Sequence, residues 1–214
     1  MAALNDTCIG LIADSHGNLE ATAEAIRVLK GRGAGMLVHL GDFCDSIRRD
    51  RAVAMIRLLR ENGVLAVKGN NDFSVERMLA DDRRLPDPAG ESSSAYLQTL
   101  PFTRVLNGLL FAHSLPYDSL RAFYEPIDTG NTQRAARLFR ETDFRLLFCG
   151  HSHIPILFRM AGGNVTREQV PLGEKLLQDA DDRFIVIVGA VDEGECALYD
   201  RGRRTYERMR IVTA

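Results

Sequence analysis

Five short apolar runs punctuate the first three-quarters of the chain, and each stops abruptly at a polar side chain. Leu11-Ile12-Ala13 gives way to Asp14-Ser15-His16, and Val38-His39-Leu40 to Gly41-Asp42. Leu65-Ala66-Val67-Lys68 leads to Gly69-Asn70-Asn71-Asp72, Leu109-Leu110-Phe111-Ala112 to His113-Ser114, and Leu146-Leu147-Phe148-Cys149 to Gly150-His151-Ser152-His153. Short continuous apolar runs bounded by turn residues read as strands of an α/β sheet, which present their next residues at the C-terminal edge.

Between these runs the spacing changes to helical. Cys8 to Ala13 reads as the first strand, and Asn18 stands where a helix N-cap is needed, ahead of Leu19, Ala23, Ile26 and Leu29. Gly31 and Gly33 end that helix. Met36 to Leu40 is the second strand. A helix from about Asp50 to Asn62 carries Val53, Ile56 and Leu59 on one face, Gly63 stops it, and Val64 to Lys68 is the third strand. A βαβαβ succession implies a parallel sheet with right-handed crossovers.

Phe73 to Ala80 predicts another helix. Asp81 to Ser94, with Pro86, Pro88 and Gly90, reads as a surface loop that borders the site. Asn107-Gly108 inside Arg104–Ala112 is a two-residue hairpin signal. Thr132 to Glu141 predicts a helix leading into the strand that ends at Cys149. Beyond His153 the runs are short: Ile156–Met160, Val165–Val170, Phe184–Val188, Glu195–Tyr199 and Arg204–Ile211, with Gly162-Gly163-Asn164 and Arg201-Gly202 as turns. This part reads as antiparallel, a second sheet packed on the first. There is no internal repeat or low-complexity segment, and residues 1–214 read as a single domain.

Composition narrows the function classes. A formal charge of -2 and 45% hydrophobic residues are ordinary for a soluble protein and give no strong signal for nucleic acid. No apolar run approaches the roughly 20 residues needed to span a bilayer, and the first residues do not read as a signal peptide. Cys8, Cys44, Cys149 and Cys196 are scattered without C-x-x-C spacing. A reducing cytoplasm is the expected setting, and a homo-oligomer is left open.

The strand-end residues are all metal-ligand types. Asp14 and His16 can turn toward one point, and Asp42 has two oxygens with which to bridge two cations. Asn70 offers an amide oxygen; His113, His151 and His153 offer imidazole nitrogen. Seven ligands from five loops exceed the four that a zinc ion takes. They suit two divalent ions roughly 3.5–4 Å apart. Mixed oxygen and nitrogen donors favour manganese, iron, zinc or nickel over calcium or magnesium alone; manganese is the first choice.

Taken as a set, Asp14-Ser15-His16, Gly41-Asp42, Gly69-Asn70-Asn71-Asp72, His113 and Gly150-His151-Ser152-His153 resemble the five motifs of the calcineurin-like metallophosphoesterases. His113-Ser114-Leu115-Pro116 and Gly150-His151-Ser152-His153-Ile154-Pro155 resemble the small bacterial phosphodiesterase branch. The resemblance runs from residue 8 to about 157. It implies two packed sheets flanked by helices, which agrees with the parallel-then-antiparallel reading. It also implies a first metal on Asp14, His16, Asp42 and His153, and a second on Asp42, Asn70, His113 and His151. The chemistry implied is in-line attack on a phosphodiester by a metal-bridging hydroxide, with Asn71, Asp42 and His113 as the catalytic group and a small phosphoester as substrate.

Two positions depart from the family pattern. Asn71 stands where many members carry a histidine that assists the leaving group, so good leaving groups are expected. Ile187-Val188-Gly189-Ala190-Val191-Asp192 replaces an Asn-Pro-Gly-Ser-like turn. Mundane readings suit other residues better: His39 as structural, Asp72 as a helix cap in preference to a brace for Asn71, and Arg48, Arg49 and Arg51 as a solvated face. Tyr117, Phe123 and Tyr124 read as cover for the core. The runner-up activity is a phosphomonoesterase, a nucleotidase or protein phosphatase. Further behind comes a catalytically silent metal-holding interaction protein. A dinucleotide-binding fold lacks its G-x-G-x-x-G cradle after the first strand.

Overall fold

The computed structural model describes residues 7–81, 88–128, 132–177 and 181–212. Two six-stranded sheets pack face to face, with helices on their outer faces. The first has the order β3-β2-β1-β11-β12-β9, formed by Leu65–Ala66, Met36–His39, Cys8–Ile12, Glu195–Asp200, Thr205–Arg210 and Gly173–Leu176. The second has the order β4-β5-β6-β10-β7-β8, formed by Thr103–Leu106, Leu109–Ala112, Leu146–Cys149, Arg183–Ile187, Ile156–Ala161 and Asn164–Gln169. Both are mixed. β1, β2 and β3 run parallel, as do β5, β6 and β10, while the other neighbours pair antiparallel.

The period-two alternation of a strand divides the core into layers. Ile9 and Leu11 of β1 and Leu146 and Phe148 of β6 join the cluster between the sheets, where Tyr199 and Tyr206 meet Phe148. Ile12 faces the other way, onto helices α1 (Leu19–Gly31) and α2 (Ala52–Glu61). Leu147 and Cys149 face α5 (Gln133–Glu141). Asn18 caps α1 as expected, its side chain accepting from the Ala21 backbone N–H at 3.2 Å. Asn107 and Gly108 both take positive φ, 53° and 78°, as a type I′ hairpin turn requires.

The strands after His153 are antiparallel to one another, but they do not form a sheet of their own. β11, β12 and β9 complete the first sheet and β10, β7 and β8 the second. β9 gives no sequence signal because its central residues, Glu174 and Lys175, lie at a sheet edge and need no apolar face. Helix α3 spans Asn70–Asp81, not Phe73–Ala80, so Asn70, Asn71 and Asp72 form its first turn. Of the loop expected over Asp81 to Ser94, residues 82–87 lie outside the described residues. Pro88 opens helix α4 (Pro88–Thr99), the first-turn position that proline suits. Among the described residues no helix is long and apolar enough to cross a membrane.

Candidate metal centre

The C-terminal ends of β1, β2, β3, β5 and β6 meet at one edge of the sandwich, tied within each sheet and across the two. The Asp14 backbone N–H donates to the Gly41 carbonyl (3.1 Å), and that of Gly150 to the His113 carbonyl (2.9 Å). The His151 backbone N–H donates to Asp14 Oδ2 at 2.9 Å. These loops approach too closely for side chains at the glycines. A Cβ on Gly69 would fall 2.1 Å from Asp42 Oδ1, and one on Gly41 would fall 2.8 Å from both the Gly69 nitrogen and His113 Nδ1.

Turning the ligands inward strains the backbone. Seven non-glycine residues take positive φ among the described residues, and five are candidate ligands: Asp14 (51°), His16 (44°), Asp42 (56°), His151 (73°) and His153 (62°). Asp and His tolerate this region better than most residues, at a cost of about 1–3 kcal/mol each.

The donor atoms converge in two overlapping groups. Asp14, His16 and His153 each bring an atom within 4.8 Å of the others, and so do Asp14, Asp42 and His113. His16 Nε2 and His153 Nε2 stand 3.1 Å apart, and His153 Nε2 is 3.6 Å from Asp14 Oδ1. On the other side His113 Nε2 lies 3.1 Å from Asn70 Oδ1, 3.1 Å from His151 Nδ1 and 3.6 Å from Asp42 Oδ2. His113 Nδ1 sits 2.9 Å from the Leu40 carbonyl, which can only accept, so the ring proton is on Nδ1 and Nε2 presents a lone pair. In their unprotonated forms these nitrogens and carboxylate oxygens aim lone pairs at common points, an arrangement that suits a cation.

Asp14 makes the same demand. Its carboxylate is fully buried, and Oδ1 has no hydrogen-bond partner among the described residues. Burial, and then the neighbouring Asp42, push the Asp14 carboxyl well above the usual carboxylate range. Burial also pushes Asp42 up, but the His113 imidazole and the hydrogen bonds from Asn71 more than reverse it. Burial lowers His16, and burial followed by His113 lowers His151 to about 4. The two histidines are thus held neutral, the form that ligates. The Asn70 amide has a satisfied orientation without an ion as well: turned over, its nitrogen donates to the Phe123 carbonyl (3.0 Å) and to His113 Nε2 (3.1 Å).

The supporting residues are only partly legible in the sequence. Asn71 donates to Asp42 from both its backbone and its side chain, and accepts from Ser46 Oγ at 3.3 Å. Asp72 accepts from Gly69 at the head of α3, as a helix cap does, but also from the backbone N–H groups of Asp42 and Cys44. Burial and Asp42 push its carboxyl up to about 7 against these three donors. His39 is buried with Nε2 2.8 Å from Ser15 Oγ, the structural role expected of it. Arg48 reaches the site, donating to the His16 carbonyl at 3.3 Å and lying 3.9 Å from both Asp45 and Asp192. Phe123 is core, whereas Tyr124 is exposed and the Tyr117 hydroxyl donates to Glu141. A cavity of about 510 Å³ lined by Leu115, Arg134 and Leu138 lies beside α5 and includes none of the candidate ligands.

The turn Val191–Glu193 is an addition from the structure. Its Asp192 accepts from Asn18 Nδ2 at 3.0 Å, and Glu193 Oε1 faces His153 Nδ1 at 3.4 Å. A strand signal was available in the sequence: Phe184–Val188 is another apolar run that leads to carboxylates.

The family model for the calcineurin-like phosphoesterase superfamily domain matches residues 8–193. No curated protein matches the chain. Among solved structures, a metallophosphoesterase from Sphaerobacter thermophilus superposes with a TM-score of 0.75 at 24% identity, covering 97% of this chain and 89% of that one. A protein from Thermus thermophilus gives 0.56 at 16% identity, covering 96% and 99%. An archaeal phosphodiesterase gives 0.54 at 14%, covering 95% and 99%. At these identities the likenesses establish the fold.

Proposed function

The chain belongs to the calcineurin-like phosphoesterase superfamily, and from that footing we propose that it is a dinuclear metal-dependent phosphodiesterase acting on a small phosphodiester. Asp14, His16, Asp42 and His153 would hold one ion, and Asp42, Asn70, His113 and His151 the other. Manganese is proposed first because the donors mix carboxylate, amide and imidazole. Two divalent cations held by these residues would lower the pKa of bound water toward neutrality and would offset negative charge on phosphoryl oxygens.

The chain's own residues prepare for that chemistry. Leu40 keeps the His113 lone pair on Nε2. Asn71 fixes both oxygens of Asp42. Asn71 has no acidic proton to give, so an ester oxygen must leave without help from that position, which favours good leaving groups.

The diester reading is carried by the charge around the cleft. Asp45 and Asp192 act on His16, Asp128 on His151, and Glu193 faces His153. Against these acids stands Arg48, already shared with Asp45 and Asp192. Ions bound at the centre attract either ester; the acidic rim offsets that attraction more for a monoester, which brings nearly two negative charges at neutral pH, than for a diester, which brings one.

The test compares bis-(p-nitrophenyl) phosphate with p-nitrophenyl phosphate, manganese supplied to both. The diester should have the higher kcat/KM. A clear preference for the monoester would make the protein a phosphomonoesterase on the same ligand set, and hydrolysis of neither would favour a silent metal-holding protein.

A further inference from the structure

We propose that Glu193 is a positioning residue for the first ion: its carboxylate accepts the Nδ1–H of His153 and so reserves the Nε2 lone pair for metal. The inference rests on the metal reading above. A ligating histidine commonly donates its second ring N–H to a carboxylate or carbonyl, which fixes the tautomer and makes the ligating nitrogen more basic. His153 Nε2 already points at His16 Nε2 (3.1 Å) and Asp14 Oδ1 (3.6 Å), while Nδ1 points the opposite way, to Glu193 Oε1 at 3.4 Å.

A glutamate 61% exposed is often only a solvated neighbour. Here its backbone is built into the centre. The Val191 N–H donates to the Ala13 carbonyl at 2.8 Å, and the Asp192 N–H to the Asp14 carbonyl at 3.2 Å, so the turn is bonded directly to the ligand loop. Asn18 holds Asp192 from the head of α1, and Gly194 closes the turn at φ 79°. His153 itself sits at φ 62°, which limits the directions its ring can take. Glu193 therefore meets Nδ1 from a fixed base, and adds a negative charge beside the Asp14 group without ligating. The loop that departs from the family's usual turn supplies this outer contact.

The experiment titrates manganese into metal-free wild type, Glu193→Ala, Glu193→Gln and the control Glu168→Ala, reading free Mn(II) by electron paramagnetic resonance. Glu168 pairs with Lys175 at the surface, so the control removes the same charge elsewhere. Wild type should take two ions. E193A should bind one of them about 10–100-fold more weakly, and E193Q, whose amide oxygen still accepts the proton, should stay near wild type. In the metal-free wild type at pH 8, nitrogen-15 spectra should show His153 as the Nδ1–H tautomer, shifting toward Nε2–H in E193A. Equal affinities in E193A and wild type, equal weakening in E193A and E193Q or in E168A, or an Nε2–H tautomer in wild type would each overturn the proposal. Failure of the wild type to take up manganese would remove the metal reading itself, an outcome distinct from the others.

Discussion

Asn71 grips Asp42 at both oxygens: its backbone N–H donates to Oδ1 and its side-chain Nδ2 to Oδ2, each at 2.8 Å. The first bond caps helix α3 with a carboxylate from another loop, which also faces the positive end of the helix. The second turns the Asn71 amide onto Asp42. Asn71→Ala loses one of the two donors, so manganese affinity or kcat/KM should fall about 10-fold. Asn71→Asp, which sets two carboxylates face to face, should fall further. Metal titration and steady-state kinetics on the two variants check the order.

Asp72 holds the Asp42 loop onto the head of α3. Its Oδ2 accepts from the Asp42 and Gly69 backbones at 2.8 and 2.9 Å, and its Oδ1 from Cys44 at 2.9 Å. Asp72→Ala leaves three buried N–H groups without an acceptor, each worth about 1–3 kcal/mol. The variant should lose at least about 3 kcal/mol of stability in urea unfolding, with metal binding weakened as the Asp42 loop loosens.

His39 makes stability depend on acidity. Burial lowers its pKa from 6.5 to about 3, so the folded protein keeps it neutral where the unfolded chain takes up a proton. Stability is unaffected above pH 6.5 and falls as the pH drops toward 3, by about 1.4 kcal/mol per pH unit. His39→Gln lacks this titration. Denaturant melts from pH 8 to pH 4 should show the wild type losing stability relative to the variant only below about pH 6.5.

Metal should stabilise the fold because it relieves what the candidate ligands by themselves leave unpaired, the buried Asp14 Oδ1, and holds together ring nitrogens of His16 and His153 that stand 3.1 Å apart. Manganese at 100 times its Kd adds about 2.7 kcal/mol per site. At about 2–4 °C per kcal/mol for a chain this long, two sites should raise Tm by roughly 10 °C or more. Calorimetry with and without manganese, then after chelation, measures it, and Asp42→Asn should abolish most of the rise.

Much of the candidate centre's convergence was legible in the chain alone, because a parallel strand delivers the residue after it to a known edge. Asp14, His16, Asp42, Asn70, His113, His151 and His153 each follow an apolar run, and chain order alone places them at strand ends. The hairpin at Asn107-Gly108 was legible for a similar reason: few dipeptides accept two positive φ values in succession. The N-cap at Asn18 was likewise local.

What the sequence by itself determined was therefore most of the elements, though not β9 or α4, together with the candidate ligand types and the edge where they gather, all matters of neighbours along the chain. The partition of the later strands between two sheets, the extension of α3 back to Asn70, Asp72's hold on Asp42 and Cys44, and the contact of Glu193 with His153 were decided by tertiary structure alone. Each joins segments tens of residues apart, or more than a hundred, through hydrogen bonds whose partners carry no local signal. Which way the His113 proton points rests on Leu40, a backbone carbonyl 73 residues away that no side-chain pattern could announce.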